Sequence, residues 1–219
     1  MLYAISHLVL KPLFWLYCRP RVIGRENVPT SGAVLLASNH LSFIDSIVIP
    51  LVSPRKVAML AKAEYWRGRG IKGWGTRTLF SSLGAQPVER GTHRAAQTAL
   101  DTALAVLNEG EAFAIYPEGT RSRDGKLARG KTGVAWLALI ANCPIVPVAV
   151  QGTDRIMPIG SRSLRPHRAT ISFGKSLHFS ELAGQAAKGK PRRDVTDAVM
   201  NEIARLSGQD RAGWGEPGS

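Results

Sequence analysis

The stretch AVLLASNHLSFID, residues 33–45, indicates how this chain folds. Residues 33–38 form a short apolar run of the length of a buried strand, and a histidine follows it in a polar turn. In open α/β sheets, ligands bind at the carboxyl ends of the strands. A histidine in this place is therefore a candidate for chemistry, provided that the rest of the chain forms such a sheet.

Apolar, β-branched runs alternate with longer helical patterns along the chain, which is typical of an α/β domain. The runs predict seven strands, at 21–24, 33–38, 57–61, 85–88, 112–117, 145–151 and 169–173. Helices are predicted at 2–18, 43–52, 63–81, 92–109, 132–142 and 192–207. Because these helices can serve as crossovers, we expect a mostly parallel or mixed seven-stranded sheet covered by helices.

With 219 residues, the chain is long enough for one domain with a sizeable core. We divide it into an N-terminal helix at 1–20, a main domain at 21–180 and a C-terminal segment at 181–219. The C-terminal segment is expected to contain a loop at 183–193, a helix, and a frayed, flexible tail from residue 208.

The charge balance favours an anionic partner. Lys and Arg number 29 against 16 Asp and Glu, which gives a net charge of +13. Nucleic acid and anionic lipid are the ordinary partners of such a chain. The basic residues are spread beside glycines and apolar stretches without a nucleic-acid motif, so we expect an anionic membrane surface and no nucleic acid. A solvated surface without a charged partner is the plain alternative.

The N-terminal residues MLYAISHLVLKPLFWLYCRP are apolar, but Lys11 and Pro12 interrupt them before the roughly 20 residues that a membrane span needs. No small-residue cleavage site follows, which disfavours a signal peptide. An interfacial helix fits better, with Lys11, Arg19 and Arg21 at the headgroups. The alternative is a helix docked on the core. We expect a peripheral protein at the cytoplasmic face of the cell membrane.

His40 and Asp45 are the sharpest candidates for catalysis. In a continuous helix, residues five positions apart point about 140° away from each other, so these side chains can meet only across a turn that is not helical. There Asp45 would accept the proton on one ring nitrogen of His40, and the other nitrogen would remove a proton from a substrate hydroxyl. A chance spacing, with the histidine merely capping a turn, is the plain alternative.

No motif in the sequence supplies a nucleophile. A Gly-x-Ser-x-Gly motif is absent, and Cys18 and Cys143 lie far from His40 in the chain, without metal-ligand spacing. Distance in sequence does not exclude a cysteine close to His40 in space. Direct attack by a substrate hydroxyl is the simpler scheme, and we expect neither a metal nor a cofactor.

A basic rim is predicted beside His40. Arg121 follows the strand at 112–117 in a turn where Gly119 permits close approach of the backbone, and a guanidinium can fork onto phosphate oxygens. Lys62 and Arg90 also follow predicted strands, so they would lie at the same edge of the sheet. An ordinary β-turn with an exposed arginine is the alternative for the first of these segments.

Two glycine patterns match nucleotide-binding motifs by letter only. Residues 125–132 fit the phosphate-loop pattern, but a polar stretch separates them from the preceding strand. Residues 68–73 spell Gly-x-Gly-x-x-Gly, but they follow an amphipathic segment and not a buried strand. This second segment also carries Trp66, Trp74 and basic residues, which suits a membrane interface, with a surface loop as the alternative.

Together these residues resemble the lysophosphatidic acid acyltransferases, that is, the 1-acylglycerol-3-phosphate O-acyltransferases and their glycerolipid relatives. Four motifs of that family occur in order between residues 20 and 155. They are matched by Asn39-His40-x4-Asp45, by Gly84, Val88 and Arg90, by residues 116–122 with Tyr116 in place of Phe, and by Val146-Pro147-Val148. Four motifs in order are far more specific than any one of them.

The resemblance implies a glycerolipid acyltransferase domain at 21–180, in which His40 and Asp45 act on the acceptor hydroxyl. It implies that the acceptor is bound by the following residues: Glu118, Gly119, Thr120 and Arg121, with Lys62 and Arg90 assisting at its phosphate. Lys131, in a Lys-Thr-Gly segment similar to one that follows the third motif in the family, joins this substrate-binding set. Residues 155–219 match no motif, so their role stays open.

Two hypotheses follow. The first is an acyltransferase that moves a fatty acyl group from acyl-CoA or acyl carrier protein to the free hydroxyl of lysophosphatidate, giving phosphatidate in phospholipid biosynthesis. Another lysophospholipid or a glycolipid stays open as the acceptor. The second hypothesis, from a different class, is a non-catalytic protein that docks on anionic membranes.

Overall fold

The computed structural model describes residues 2–89, 92–161 and 163–212, and at residues 2–7, 9, 10, 71, 72 and 93 it describes the backbone alone. The main sheet contains β1 (Arg21–Ile23), β2 (Val34–Ser38), β3 (Val57–Lys62), β4 (Ala85–Val88), β5 (Ala112–Ile115), β7 (Ile145–Gln151) and β8 (Thr170–Phe173). Two short strands, β6 (Leu127–Ala128) and β9 (Arg211–Ala212), pair in parallel with each other. The helices are α1 (Leu2–Cys18), α2 (Asp45–Val52), α3 (Glu64–Arg67), α4 (Gly70–Ser82), α5 (His93–Asn108), α6 (Gly133–Ala141), α7 (Thr153–Ile156) and α8 (Gly189–Ser207).

The main sheet has the strand order β1-β8-β7-β2-β5-β3-β4. β2 lies at its centre, parallel to both of its neighbours, β5 and β7. β8 runs antiparallel to β7 and pairs in parallel with β1, so the sheet is mixed. The predicted α/β fold is confirmed, and the seven predicted strands match the observed ones to within two residues at each end.

The sheet separates two clusters of buried apolar side chains. Leu36 belongs to one cluster and Leu35 to the other, because successive residues of a strand point to opposite faces. α1, α2 and α4 contribute to the first cluster, and α5, α6 and α8 to the second. Helices on both faces bury β2 completely. The turn that follows its carboxyl end is therefore attached to a rigid part of the core.

The single helix predicted at 63–81 is instead two helices, α3 and α4, and the prediction is wrong at this point. Gly70 adopts φ +68°, a left-handed conformation that favours glycine. A Cβ added to Gly73 would lie 2.1 Å from the carbonyl carbon of Gly68, so the two glycines pack backbone against backbone. The Gly-x-Gly-x-x-Gly spacing therefore serves a tight corner between two helices.

The C-terminal segment is more ordered than the sequence predicts. α8 begins at Gly189, inside the range 183–193 that was expected to be a loop. The backbone oxygen of Asp210 accepts a hydrogen bond from Leu127 N at 2.8 Å, and β9 follows directly. The prediction of a frayed tail is therefore wrong for residues 208–212, while 213–219 lie outside the described residues.

Among the described side chains of α1, those on one side dock on the core. Phe14 and Cys18 are buried, whereas Leu13 and Leu16 are 58% and 76% exposed. The core-docking interpretation describes the buried face of this helix, and the interfacial interpretation of its exposed face stays a prediction. None of the helices in the described residues is long and apolar enough to cross a bilayer.

Candidate active site

His40 lies just beyond the carboxyl end of β2, beside the segment that follows β5. Ala37 of β2 pairs with Ile115 of β5, and the segments that follow these two strands continue side by side past the sheet. His40 N donates a hydrogen bond to Glu118 Oε1 at 3.0 Å, and His40 O accepts one from Ser122 N at 2.8 Å. The segment after β5 thus holds the backbone of His40 through both of its polar groups.

The side chains of His40 and Asp45 are in contact, with Nδ1 2.9 Å from Oδ2. The same carboxylate oxygen accepts the backbone N–H groups of Leu41 and Ser42, each at 2.8 Å, which keeps the turn from being helical. Asp45 is fully buried and the imidazole is 13% exposed. Because Nδ1 is bound to Asp45, Nε2 is the ring nitrogen that can meet a substrate.

Two residues fix this turn from its sides. The ring of Tyr116 stacks on the imidazole of His40, and its hydroxyl lies 3.1 Å from Ser46 Oγ on α2. Asn39 is fully buried and bonds β7 in both directions, from Nδ2 to Val150 O at 2.9 Å and from Val150 N to Oδ1 at 2.7 Å. The turn is therefore bound to the strands on both sides of β2.

Glu118 lies beneath the site, with 4% of its surface exposed. Oε1 accepts the N–H of His40, and Oε2 accepts the N–H of Ala128 at 2.9 Å. Burial raises the pKa of this carboxyl above its ordinary value, although the two N–H groups oppose the shift and the carboxylates of Asp45 and Asp124 add slightly to it. The geometry gives Glu118 a backbone-holding contact, away from the surface that a substrate would touch.

A cavity of about 680 Å³ opens between the ends of β2 and β5 and the first turns of α5 and α6. One part of its wall is polar or charged, formed by His40, Thr92, Thr120, Arg121, Lys131 and Thr132. Another part is apolar, formed by Leu60, Ala95, Ala99, Leu100, Ile115 and Val134. The cavity thus offers cations beside the imidazole and an apolar surface next to them.

The sequence matches the acyltransferase family over residues 19–151, more than half of the chain. The chain belongs to the acyltransferase family. The residues of all four motifs lie inside the matched region, and so does the buried His40–Asp45 contact.

Three comparisons describe the relatives of this family member. The chloroplastic 1-acyl-sn-glycerol-3-phosphate acyltransferase LPAT1 of Arabidopsis thaliana is 31% identical over 160 residues, which cover 72% of this chain and 43% of that protein. The 1-acyl-sn-glycerol-3-phosphate acyltransferase of Bacillus subtilis (strain 168) is 26% identical over 188 residues, 85% of this chain and 87% of that one. The crystal structure of PlsC, the 1-acyl-sn-glycerophosphate acyltransferase of Thermotoga maritima, has the same fold, with a TM-score of 0.70 and 24% identity over 93% of this chain and 79% of that chain. The chain spans less than half the length of the Arabidopsis relative.

The structure brings most of the predicted site residues together. Gly119, Thr120, Arg121 and Lys131 line the cavity with His40. Lys62 is exposed at the end of β3 and is not among the described residues that line this cavity. Arg90 lies outside the described residues.

The sequence did not indicate that α5 lines the cavity. Ala95 and Ala99 are four residues apart in the helix predicted at 92–109 and so share one face, and the structure shows that this face lines the cavity. Thr92 caps the helix, its Oγ1 accepting from Ala95 N at 3.1 Å, and it lies on the cavity wall as well. The spacing of these small residues predicts that they share a helix face. It does not predict that this face borders a cavity.

Neither cysteine is placed to attack a substrate. Cys18 and Cys143 are both buried, in the two clusters on opposite faces of the sheet. Burial raises the pKa of the Cys143 thiol to about 11 and also raises that of Cys18, which disfavours the nucleophilic thiolate. Within the described part of the chain, no three His, Cys, Asp or Glu side chains are grouped to hold a metal ion.

Proposed function

We propose that this acyltransferase moves a fatty acyl group from a thioester donor to the free hydroxyl of lysophosphatidate, giving phosphatidate in phospholipid biosynthesis. One observation carries the proposal. A buried His40–Asp45 pair opens onto a cavity where Arg121 and Lys131 stand beside an apolar wall. The names of the Arabidopsis and Bacillus relatives support the same acceptor.

The chemistry of the acceptor matches the two parts of the cavity wall. Lysophosphatidate carries a phosphate, which a guanidinium and an ammonium bind well, and a free hydroxyl on the carbon next to the one that bears the phosphate ester. The acyl chains of donor and acceptor need apolar surface, which α5 and β5 provide through Ala95, Ala99 and Ile115. The hydroxyl would then lie at the border between the two parts, where His40 is.

The reaction needs a base and no covalent intermediate. His40 Nε2 takes the proton of the acceptor hydroxyl, while Asp45 holds Nδ1 and stabilises the imidazolium that forms. The oxygen attacks the thioester carbonyl, and the tetrahedral intermediate collapses by breaking the carbon–sulfur bond. The imidazolium returns its proton to the departing thiolate, so the products are an ester and a thiol. The thioester is already activated, so alignment and proton transfer supply most of what the protein must add.

The proposal includes peripheral attachment to the cytoplasmic face of the cell membrane. Leu8, Leu13 and Leu16 of α1 are 58% to 77% exposed, and Trp74 of α4, which packs against α1, is 63% exposed. Arg69 and Arg77, also exposed, lie near Trp74 in the chain. Apolar side chains with a basic rim are the features by which a protein lies on an anionic bilayer.

A single assay tests the proposed reaction. Purified protein is incubated with labelled acyl-CoA or acyl carrier protein and with liposomes that contain lysophosphatidate. Formation of labelled phosphatidate is expected, with its loss in His40→Ala. His178→Ala, which removes an exposed histidine, is the matched control and should keep wild-type turnover.

Three outcomes contradict parts of the proposal. A product only with another lysophospholipid or with a glycolipid would replace the acceptor. Turnover retained in His40→Ala would reject the mechanism. Salt-sensitive liposome binding without any product would favour a non-catalytic membrane-binding protein.

A further inference from the structure

After α8 the chain turns back toward the active site, and Gln209 bridges two of its segments. Gln209 Oε1 accepts a hydrogen bond from Asn39 Nδ2 at 2.6 Å, and Gln209 Nε2 donates one to Gly125 O at 2.7 Å. Asn39 directly precedes His40, while Gly125 lies in the loop between Ser122 and β6. One side chain thus connects the turn that carries the imidazole with the loop that follows the third motif.

The residues after Gln209 extend this contact. Asp210 O accepts a hydrogen bond from Leu127 N, and β9 pairs with β6. Ala128 of β6 donates its N–H to Glu118 Oε2, and Glu118 Oε1 accepts the N–H of His40. A continuous set of hydrogen bonds therefore runs from the C-terminal segment to the backbone of His40.

The hydrogen bonds of Asn39 to β7 leave one N–H of its side-chain amide for Gln209. Asn39 is fully buried, and its amide oxygen accepts from Val150 N. Of the two N–H groups on Nδ2, one is used by Val150 O and the other by Gln209. Without Gln209 a buried donor beside His40 would lack its partner, which proteins avoid.

We propose that Gln209 is a positioning residue for the acyl transfer reaction. It fixes the spacing between the His40 turn and the loop from Gly119 to Lys131, which carries the cavity's cations. The reaction that it serves rests on the proposed function, whereas the ordering of these two segments does not. Misplacement of catalytic groups by an ångström lowers rates by up to about 100-fold, so a residue that does not itself line the cavity can affect turnover.

The test is Gln209→Met, which keeps the length of the side chain and removes both hydrogen bonds. Amide hydrogen exchange is expected to become at least about tenfold faster at His40, Leu127 and Ala128, with core amides of β2 unchanged. We expect kcat to fall about tenfold, with the KM for the acyl donor within about twofold of wild type. Gln97→Met is the matched control, because it is the same substitution on the exposed side of α5, where Gln97 makes one side-chain hydrogen bond, to Asp101.

Each result decides the proposal. Wild-type exchange at the three amides, or wild-type kcat, in Gln209→Met would overturn it, as would equal effects in Gln97→Met. If Gln209→Met does not fold, Gln209→Glu is used with the same criteria, because it keeps the acceptor for Asn39 and loses the donor to Gly125. If the wild-type protein forms no acylated product, the proposed function fails, and the exchange rates alone decide whether Gln209 orders the two segments.

Discussion

The ring of Tyr116 lies flat against the imidazole of His40, with ring centroids 3.8 Å apart and planes inclined by 9°. Asp45 holds the edge of the imidazole through Nδ1, and Tyr116 holds its face. The tyrosine is itself tied to α2 through Ser46 Oγ. The orientation of Nε2 is therefore fixed by two contacts with different geometry, one polar and one aromatic.

Tyr116→Leu is expected to lower kcat about tenfold, because the imidazole loses the aromatic stack, worth about 1 kcal/mol, and its defined orientation. Tyr116→Phe keeps the ring and loses the hydroxyl contact with Ser46, so its kcat should stay within about threefold of wild type. Steady-state kinetics of the two variants make the comparison. A leucine variant as active as the phenylalanine variant would show that the stack has no role.

Asp45→Asn should lower kcat by at least about 100-fold while the protein stays folded. The asparagine oxygen can still accept the N–H groups of Leu41 and Ser42, so the turn is retained. What is lost is the negative charge that stabilises the imidazolium of His40. Turnover and thermal unfolding are measured together, and a large fall in melting temperature with the same loss of activity would point to a structural role instead.

Gly119→Ala is expected to raise the KM for the acceptor. Gly119 has φ +73°, and a Cβ there would lie 2.8 Å from Lys131 Nζ, so the lysine must move from the cavity wall. Gly184→Ala is the control, because Gly184 has φ +76° and nothing within 4 Å of the added atom. Both variants carry the same backbone strain, about 1 kcal/mol. Equal KM values in the two variants would argue against a role of Lys131 in acceptor binding.

The titration of Glu118 predicts how stability depends on pH. Burial raises its pKa above 4.5 in the folded protein, so the folded state binds this proton more tightly than the unfolded state. The bound proton therefore adds to the free energy of unfolding. This addition is fully present below pH 4.5 and is lost as pH rises through the pKa that Glu118 has in the folded protein. Relative to Glu118→Gln, which does not titrate, the wild-type protein should therefore lose stability with rising pH across this window. Denaturant unfolding of both proteins measures the difference, and the reverse trend would mean that the two backbone hydrogen bonds outweigh burial.

The two thiols should be unreactive in the folded protein. Because the pKa of Cys143 is raised to about 11 and Cys18 is buried as well, little thiolate exists at neutral pH. A colourimetric thiol reagent is expected to modify neither residue on a timescale of minutes in native buffer, and both of them in denaturant. Rapid modification in native buffer, accompanied by loss of acyl transfer, would contradict the scheme without a cysteine nucleophile.

The strands could be predicted because each one is a short apolar run bounded by polar or glycine-rich turns, as at residues 145–151. The corner between α3 and α4 could not, since the helical pattern continues through Gly68 and only the contact with Gly73 shows that the chain bends there. The order of residues 209–212 was missed for a related reason. Their partners, Asn39, Gly125 and β6, are distant in sequence, and a glycine-rich composition predicts flexibility when such partners are unknown.

The polar residues of the candidate site could largely be predicted from the sequence. The spacing of His40 and Asp45 required a turn that is not helical, and the register between β2 and β5 brings the segment from Tyr116 to Arg121 beside them. The two interpretations of Glu118, substrate contact or backbone support, cannot be separated by sequence, because both require a carboxylate at that position. Only its burial and its two N–H donors distinguish them.

The central position of β2 also determines when the site can assemble during synthesis. The side chain of Asn39 bonds residues 111 and 170 positions later in the chain, and His40 N bonds one 78 positions later. A ribosome exposes the histidine early, long before these partners emerge. The nascent chain therefore carries its base before the residues that hold the turn of Asn39 and His40 have been synthesised.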